Sequence, residues 1–228
     1  MRLVIFDIDG TLTQTMKADG ECFMRSLVEV CGFSDVHTDF SGCKYSTDSG
    51  VFHEIYESRT GRTPSPNEIS RFRQHFLGLL AQTSSEAPFE AVSGASRLLS
   101  RLTESAGHRV ALATGAWRES ACLKMASAGL CYDHYPAASS DDAMERESII
   151  RLSIQRATER FGKFDSVVYV GDGIWDACAC RSLGIPFIGI ATTHPAARLA
   201  AEGAACVFSD FTDTELFLRR LHEVTSVA

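Results

Sequence analysis

The chain reads as an α/β protein: a doubly wound parallel sheet with a helical domain inserted after its first strand. Three observations predict this. Short apolar runs at 3–6, 109–113, 167–170 and 186–190 alternate with helical periodicity from about residue 88 onward, as strands buried on both faces do when helices cross over between them. The block 14–87 carries apolar residues at helical spacing and no convincing strand. The first apolar run precedes that block yet has the same buried character, so it belongs to the sheet whose other strands follow. The resulting boundaries are 1–13 with 88–228 for the α/β core and 14–87 for the insert. At 228 residues, 45% hydrophobic and 22% charged, the composition is that of an ordinary globular protein of this size.

Taken in order, Leu3 to Phe6 form a strand that ends in Asp7-Ile8-Asp9-Gly10-Thr11-Leu12-Thr13. Asp is a poor strand former, and Gly10 lets the backbone turn sharply. A helix over about 16–31 places Phe23, Leu27 and Val30 on one face and stops at Gly32. After a polar segment, 34–46, a helix over about 49–59 carries Val51, Phe52, Ile55 and Tyr56 and ends at Gly61. Pro64 and Pro66 introduce a third helix, about 67–82, with Ile69, Phe72, Phe76, Leu79 and Leu80 at helical spacing. Beyond Pro88 come a helix at 93–105, a strand at 109–113, a helix at 118–127 and a loop or short strand at 132–138. An acidic loop at Asp141-Asp142 leads into a helix over about 147–161. The strand 167–170, a helix at 175–183, the strand 186–190, short elements and a terminal helix at 214–224 complete the chain.

In a doubly wound sheet, ligands sit at the carboxyl ends of the strands. Three strands here end in polar residues: the first in Asp7 and Asp9, the second in Thr114-Gly115, and a later one in Asp172, with Asp176 one helical turn on. Each alone is an ordinary strand-to-helix turn. Their recurrence at successive strand ends is the stronger observation. Asp7 and Asp9, two residues apart, point the same way, and like charges held together favour a bound cation or a raised pKa. Three carboxylates around a small hard cation suit magnesium. The chemistry that fits is phosphoryl transfer through an aspartyl-phosphate, with the Thr114 hydroxyl and nearby backbone N–H groups on the other phosphoryl oxygens. One fixed positive side chain would complete the charge balance.

Asp7-Ile8-Asp9-Gly10-Thr11-Leu12 resembles the first motif of the haloacid dehalogenase-like phosphohydrolases. Thr114 in Ala113-Thr114-Gly115 resembles their second motif, and Gly171-Asp172-Gly173-Ile174-Trp175-Asp176 their fourth. The resemblance implies a Rossmann-like core with an α-helical cap, similar to the phosphoglycolate phosphatase and β-phosphoglucomutase branch. It implies that Asp7 is the nucleophile and a magnesium ligand. Asp9 would bind magnesium through its backbone carbonyl and serve as general acid and then base. Thr114 and Gly115 would hold the phosphoryl group, Asp172 would ligate magnesium, and Asp176 would support the site. The dehalogenases of the superfamily lack an aspartate at the position of Asp9, so its presence points to phosphate chemistry, where a leaving alkoxide needs a proton.

One departure concerns the third motif, usually a lysine. None of Lys17, Lys44, Lys124 and Lys163 occupies that place, and Arg146 does. Arg146 is either the basic residue of the site or a solvated helix-start arginine between Glu145 and Glu147, with Arg151 the weaker candidate. In the insert, Tyr45-Ser46-Thr47-Asp48 resembles a Thr-Asp stretch of capped members, so Thr47 and Asp48 either cap a helix or contact the leaving group. His37, Lys44 and His53 are further candidates for cap contacts, whereas His108 and His194 read as surface residues. The implied activity is a magnesium-dependent phosphatase of a small phosphorylated metabolite. A phosphomutase with the same aspartyl-phosphate chemistry is the alternative, and a non-catalytic relic is disfavoured by the full acidic set.

The formal net charge of −7 and the lack of a basic run argue against nucleic acid as a partner. No apolar stretch approaches the roughly 20 residues of a membrane span, and no secretory signal pattern opens the sequence. The eight cysteines have no Cys-x-x-Cys spacing and read as buried or half-buried thiols of a reducing compartment. The expectation is therefore a cytoplasmic enzyme, monomeric or homodimeric.

Overall fold

The computed structural model describes residues 1–34, 36 and 44–226. Six parallel strands form one sheet in the order β3-β2-β1-β4-β5-β6: β1 (Arg2–Phe6), β2 (His108–Ala113), β3 (Ala137–Ala138), β4 (Ser166–Gly171), β5 (Phe187–Ile190) and β6 (Cys206–Phe208). The central strand is β1, with Phe6 in register with Leu112 on one side and Val170 on the other. The chain runs outward from β1 through β2 to β3 and then returns to β4 on the opposite side of β1. The reversal of direction beside β1 is the switch point at which an open α/β sheet leaves a crevice.

Alternate residues of β1 face opposite layers. Val4 and Phe6 pack with Leu98, Leu102, Met125 and Phe217, which come from α4 (Ala95–Glu104), α5 (Arg118–Ser127) and α9 (Thr214–Ser226). Leu3 and Ile5 pack with Ile149, Ala157 and Ala177, from α6 (Arg146–Phe161) and α7 (Ile174–Leu183), and with Leu199 of α8 (Ala196–Ala201). Helices on both faces explain why the strands are apolar runs and not alternating patterns.

Among the described residues three helices stand between β1 and α4: α1 (Met16–Cys31), α2 (Asp48–Thr60) and α3 (Pro66–Glu86). They share a separate core of Phe23, Leu27, Phe52, Phe72 and Phe76, with the Phe52 and Phe72 rings stacked at 4.2 Å. Trp117, at the start of α5, inserts into that core and donates its indole N–H to Ser49 Oγ at 2.7 Å. The two crossings between sheet and insert run side by side: Gln14 N donates to Glu90 O at 2.8 Å and Val92 N to Leu12 O at 2.9 Å.

Several elements differ from expectation at their limits. The short segment before α6 forms a strand of only two residues, β3. The helix α3 runs on to Glu86, past its last buried residue Leu80, because the polar turn beyond it is tied down by Ser84 Oγ to Ser127 Oγ at 2.8 Å. The thiols of Cys131 and Cys178 are exposed, contrary to the expectation of buried or half-buried cysteines. Among the described residues no helix is long and apolar enough to cross a membrane.

Candidate active site

The site begins where β1 ends. Asp7 N still donates to Val170 O of β4, at 3.0 Å, so Asp7 is fixed by the sheet although it lies beyond the strand. The chain then winds tightly: the N–H groups of Thr11, Leu12 and Thr13 all turn back to Ile8 O. Gly10 sits at φ +73°, and a Cβ there would overlap Asp172 Oδ2. Glycine is required both by the left-handed backbone and by the closeness of the second acidic strand end. Thr11 Oγ1 donates to Asp172 Oδ1 at 3.2 Å, joining the loops after β1 and β4.

Asp7, Asp172 and Asp176 each present a carboxylate oxygen within 4.8 Å of the other two. All three are buried. Two of their oxygens, Asp7 Oδ1 and Asp172 Oδ2, have no hydrogen-bond partner. Burial pushes the Asp7 carboxyl up to about 7, and Asp176 and Asp9 add to that while Arg146 opposes it. Burial, then the charges of Asp7 and Asp176, push Asp172 well above the usual carboxylate range. Buried carboxylate oxygens left unpaired and repelling one another are costly. A hard divalent cation ligated by oxygen removes both penalties, so this donor set fits magnesium. Asp176, in the first turn of α7, is further constrained: Oδ2 accepts from Gly173 N at 3.1 Å and Oδ1 from Arg146 Nε at 2.9 Å.

Arg146 opens α6 and is 6% exposed. Its Nη2 lies 2.9 Å from Asp7 Oδ2 and 2.8 Å from Asp176 Oδ1. A Cβ on Gly115 would come within 2.6 Å of Arg146 Nη1 and 2.7 Å of Ser46 O, so glycine there leaves room for the guanidinium. Arg151, one and a half turns further along α6, is exposed. Thr114 is fully buried at the end of β2; its Oγ1 accepts from Ala116 N at 3.1 Å, leaving its own O–H for a bound oxyanion.

The insert closes over these groups. Asp7, Asp9, Thr114, Gly115 and Arg146 line one side of a cavity of about 300 Å³, and Met16, Asp19, Phe23, Thr47, Asp48 and Val51 line the other. Thr47 is the N-cap of α2: its hydroxyl accepts from Gly50 N at 3.2 Å and donates to Met144 O at 2.8 Å. Asp48 Oδ2 accepts from Trp117 N at 3.0 Å. Both residues thus join the insert to the core at the edge of the cavity. Lys44 is exposed, with its amine over the Tyr45 ring, and neither it nor His53 lines the cavity. His37 lies outside the described residues. His108 is half-buried and pairs with Ser105. His194 corrects a sequence expectation: it lines the cavity beside Trp175 and is not a free surface residue.

Sequence reasoning missed Lys124. It is fully buried on α5, and its amine lies 2.6 Å from Asp9 Oδ2 and 2.6 Å from Asp19 Oδ1. A signal was present: Lys124 falls between Ala121 and Met125 on the apolar face of its helix, where a lysine needs a partner. Asp9 has both carboxylate oxygens engaged, Oδ2 with Lys124 and Oδ1 with Thr15 Oγ1.

A family model described as haloacid dehalogenase-like hydrolase matches residues 1–184. Among solved structures, a hydrolase from Pseudomonas syringae aligns over 99% of this chain and 100% of its own, with a TM-score of 0.77 and 20% identity. A predicted phosphoglycolate phosphatase from Haemophilus somnus aligns over 95% of this chain and 97% of its own (TM-score 0.66, 16% identity). CbbY from Rhodobacter sphaeroides, solved in complex with phosphate, aligns over 92% and 94% (TM-score 0.60, 19% identity). At these identities the likenesses speak to the fold. No curated protein matches the chain.

Proposed function

The chain belongs to the haloacid dehalogenase-like hydrolases, and from that membership we propose that it is a magnesium-dependent phosphatase of a small phosphorylated metabolite, working through an aspartyl-phosphate on Asp7. The observation that carries this reading is the convergence of Asp7, Asp172 and Asp176 within 4.8 Å, with two orphaned carboxylate oxygens and Arg146 on the Asp7 carboxylate. Asp7, Asp172 and the backbone carbonyl of Asp9 would hold the ion, with Asp176 in support. When bound, it offsets the repulsion between these carboxylates and an incoming phosphate dianion.

The residues then divide the work. Arg146 and Thr114 orient the phosphoryl oxygens against Asp7. Asp7 Oδ attacks phosphorus, and the bond from phosphorus to the ester oxygen breaks. Asp9, protonated and released from the bonds that Lys124 and Thr15 make to its carboxylate, gives its proton to the departing alkoxide. Asp9, now the carboxylate, takes a proton from water, whose oxygen attacks phosphorus and releases inorganic phosphate from Asp7. The insert, which we take as a cap over 14–87, excludes bulk water during transfer and opens for release.

The test is phosphate release from 4-nitrophenyl phosphate. Chelated protein should be inactive, magnesium should restore turnover, and Asp7→Asn should abolish it together with beryllofluoride binding. Full activity without a divalent ion, or in Asp7→Asn, would overturn the reading. Transfer of the phosphoryl group to an added sugar phosphate without net phosphate release would replace it with the phosphomutase.

A further inference from the structure

Arg146 and Thr114 serve the phosphoryl end of the cavity, so the alcohol that leaves must be seated by the remaining wall. Much of that wall is apolar. Met16, Phe23 and Val51 reach it from the insert, and Ile174 and Trp175, which open α7, reach it from the core. Phe23 and Val51 also belong to the core of the insert, but Met16 and Trp175 pack into neither layer of the sheet nor that core. Both are half-buried, and large apolar side chains kept at a cavity gain the rest of their burial when a ligand covers them. The Trp175 ring is held in place: a Cβ on Gly173 would overlap it, and the His194 ring meets it edge to face at 5.4 Å.

Gly20 is an independent observation. It lies inside α1, one turn after Met16, where glycine weakens a helix, and it lines the same cavity. A Cβ there would meet nothing within 4 Å, so no packing demands glycine, and its effect is to leave space beside Met16. The polar groups of this wall already have tasks: the Thr47 hydroxyl bonds Gly50 N and Met144 O, Asp19 pairs with Lys124, and Asp48 accepts from Trp117 N. A sugar would bring hydroxyls that lose water against Met16, Val51 and Trp175 and find no partner there. An apolar ring loses nothing by the same move. The volume, about 300 Å³, lies at the small end for ligand sites and suits a monocyclic group beside the phosphoryl group.

We propose that the leaving group is an uncharged, apolar, monocyclic alcohol seated over Gly20 between Met16 and Trp175, so that the substrate is an aryl or arylalkyl phosphate monoester and not a sugar phosphate. The proposal rests on the phosphatase reading and names its substrate class.

Benzyl phosphate, 2-hydroxyethyl phosphate and glucose 6-phosphate release alcohols of similar acidity, so kcat/KM with magnesium-loaded enzyme compares how the leaving groups are seated. Benzyl phosphate should be favoured over each of the others by about tenfold or more. Gly20→Leu, which fills the space and favours the helix, should lower the benzyl phosphate value by about tenfold and change the 2-hydroxyethyl phosphate value by less than about twofold. Should Gly20→Leu not fold, Met16→Ser should skew the two substrates in the same direction. Binding gives a readout without turnover: by calorimetry, benzylphosphonate should bind more tightly than methylphosphonate by about tenfold. A preference for glucose 6-phosphate or 2-hydroxyethyl phosphate, equal losses on both substrates in Gly20→Leu, or equal phosphonate affinities would overturn the proposal and leave the phosphatase reading standing. Phosphate released from none of the three esters would overturn the phosphatase reading, and the phosphonates would then decide whether the apolar seat exists.

Discussion

At the scale of single residues, the site is a problem of charge, and two residues carry its sharpest consequences. Arg146 touches both Asp7 and Asp176, so it holds the carboxylate we propose as nucleophile and remains charged at any working pH. Arg146→Ala should lower kcat by about a hundredfold or more, the scale of losing one oriented charge in a dry site. Arg146→Lys should keep a substantial part of the activity, because the charge remains and only the planar fork is lost. Arg151→Ala, on the exposed side of α6, should be mild, and the reverse ranking of 146 and 151 in steady-state assays would show the basic residue misassigned. Asp172 gives a readout that needs no turnover. One of its oxygens is buried without a hydrogen-bond partner, and a bound cation would satisfy it. Saturating magnesium, at about a hundred times its Kd, should raise Tm by roughly 5–10 °C. Asp172→Asn should remove most of that shift, since one of the three converging carboxylates is gone. A magnesium shift of unchanged size in Asp172→Asn, followed by differential scanning fluorimetry, would separate the ion from this cluster.

At the scale of elements, the capping box that opens α3 makes a prediction about pH. Ser65 Oγ accepts from Glu68 N, and Glu68 accepts from Ser65 N in return. Arg62 first, then the Ser65 and Tyr56 hydroxyls, hold the Glu68 carboxyl well below its usual range. A carboxyl lowered by folding contributes stability above its unfolded value of about 4.3, and that stability is lost as pH falls through the folded value. The Tm difference between wild type and Glu68→Gln should thus be largest near neutrality and shrink on acidification below about pH 4. It should also be weakened by salt, because the Arg62 partner is exposed and Glu68 only half-buried. A difference that grows on acidification would contradict the assignment. Helix limits were legible where their signals are local, as with Pro64 and Pro66 before a periodic run and Gly32 and Gly61 after one, and so were the acidic residues at the ends of apolar strands; the Ser65–Glu68 box itself was not read. The strand β6, three residues and half-buried, and the two-residue β3 carry too few side chains for any period to show. Lys124 was illegible for a different reason. Its partners lie 105 and 115 residues away, and only the fold brings the loop after β1 and the first turn of α1 to its amine. Arg146 could be placed by its distance ahead of Asp172, but its bond to Asp7 spans 139 residues and belongs to the fold.

At the scale of the whole molecule, the phosphorylated substrate we propose must reach a protein of formal net charge −7 and enter a cavity walled by Asp7, Asp9, Asp19 and Asp48. The nearby cations are committed: Arg146 to Asp7 and Asp176, Lys124 to Asp9 and Asp19. The phosphoryl end can be accommodated by the ion, Arg146 and Thr114. The far end, where the leaving group lies, meets Met16, Phe23 and Val51 together with the carboxylates of Asp19 and Asp48. Burial pushes Asp19 up to about 6 and Asp48 well above the usual carboxylate range, so above about pH 6 a leaving group bearing its own carboxylate would face like charge from Asp19 and find no free lysine or arginine on the cavity wall among the described residues. Two unit charges about 6 Å apart at an effective dielectric near 20 repel by about 3 kcal/mol, of the order of a hundredfold in a rate ratio. Screening and movement of the side chains reduce that, so about tenfold is the smaller bound we expect. Phosphoglycolate and 2-hydroxyethyl phosphate differ chiefly in this carboxylate and make the comparison direct. At fixed ionic strength and saturating magnesium, kcat/KM should favour 2-hydroxyethyl phosphate by that factor, and Asp19→Asn with Asp48→Asn should narrow the gap. Equal rates, or a preference for phosphoglycolate, would mean that a cation outside this wall reaches the leaving group and that the charge of the cavity does not select the substrate.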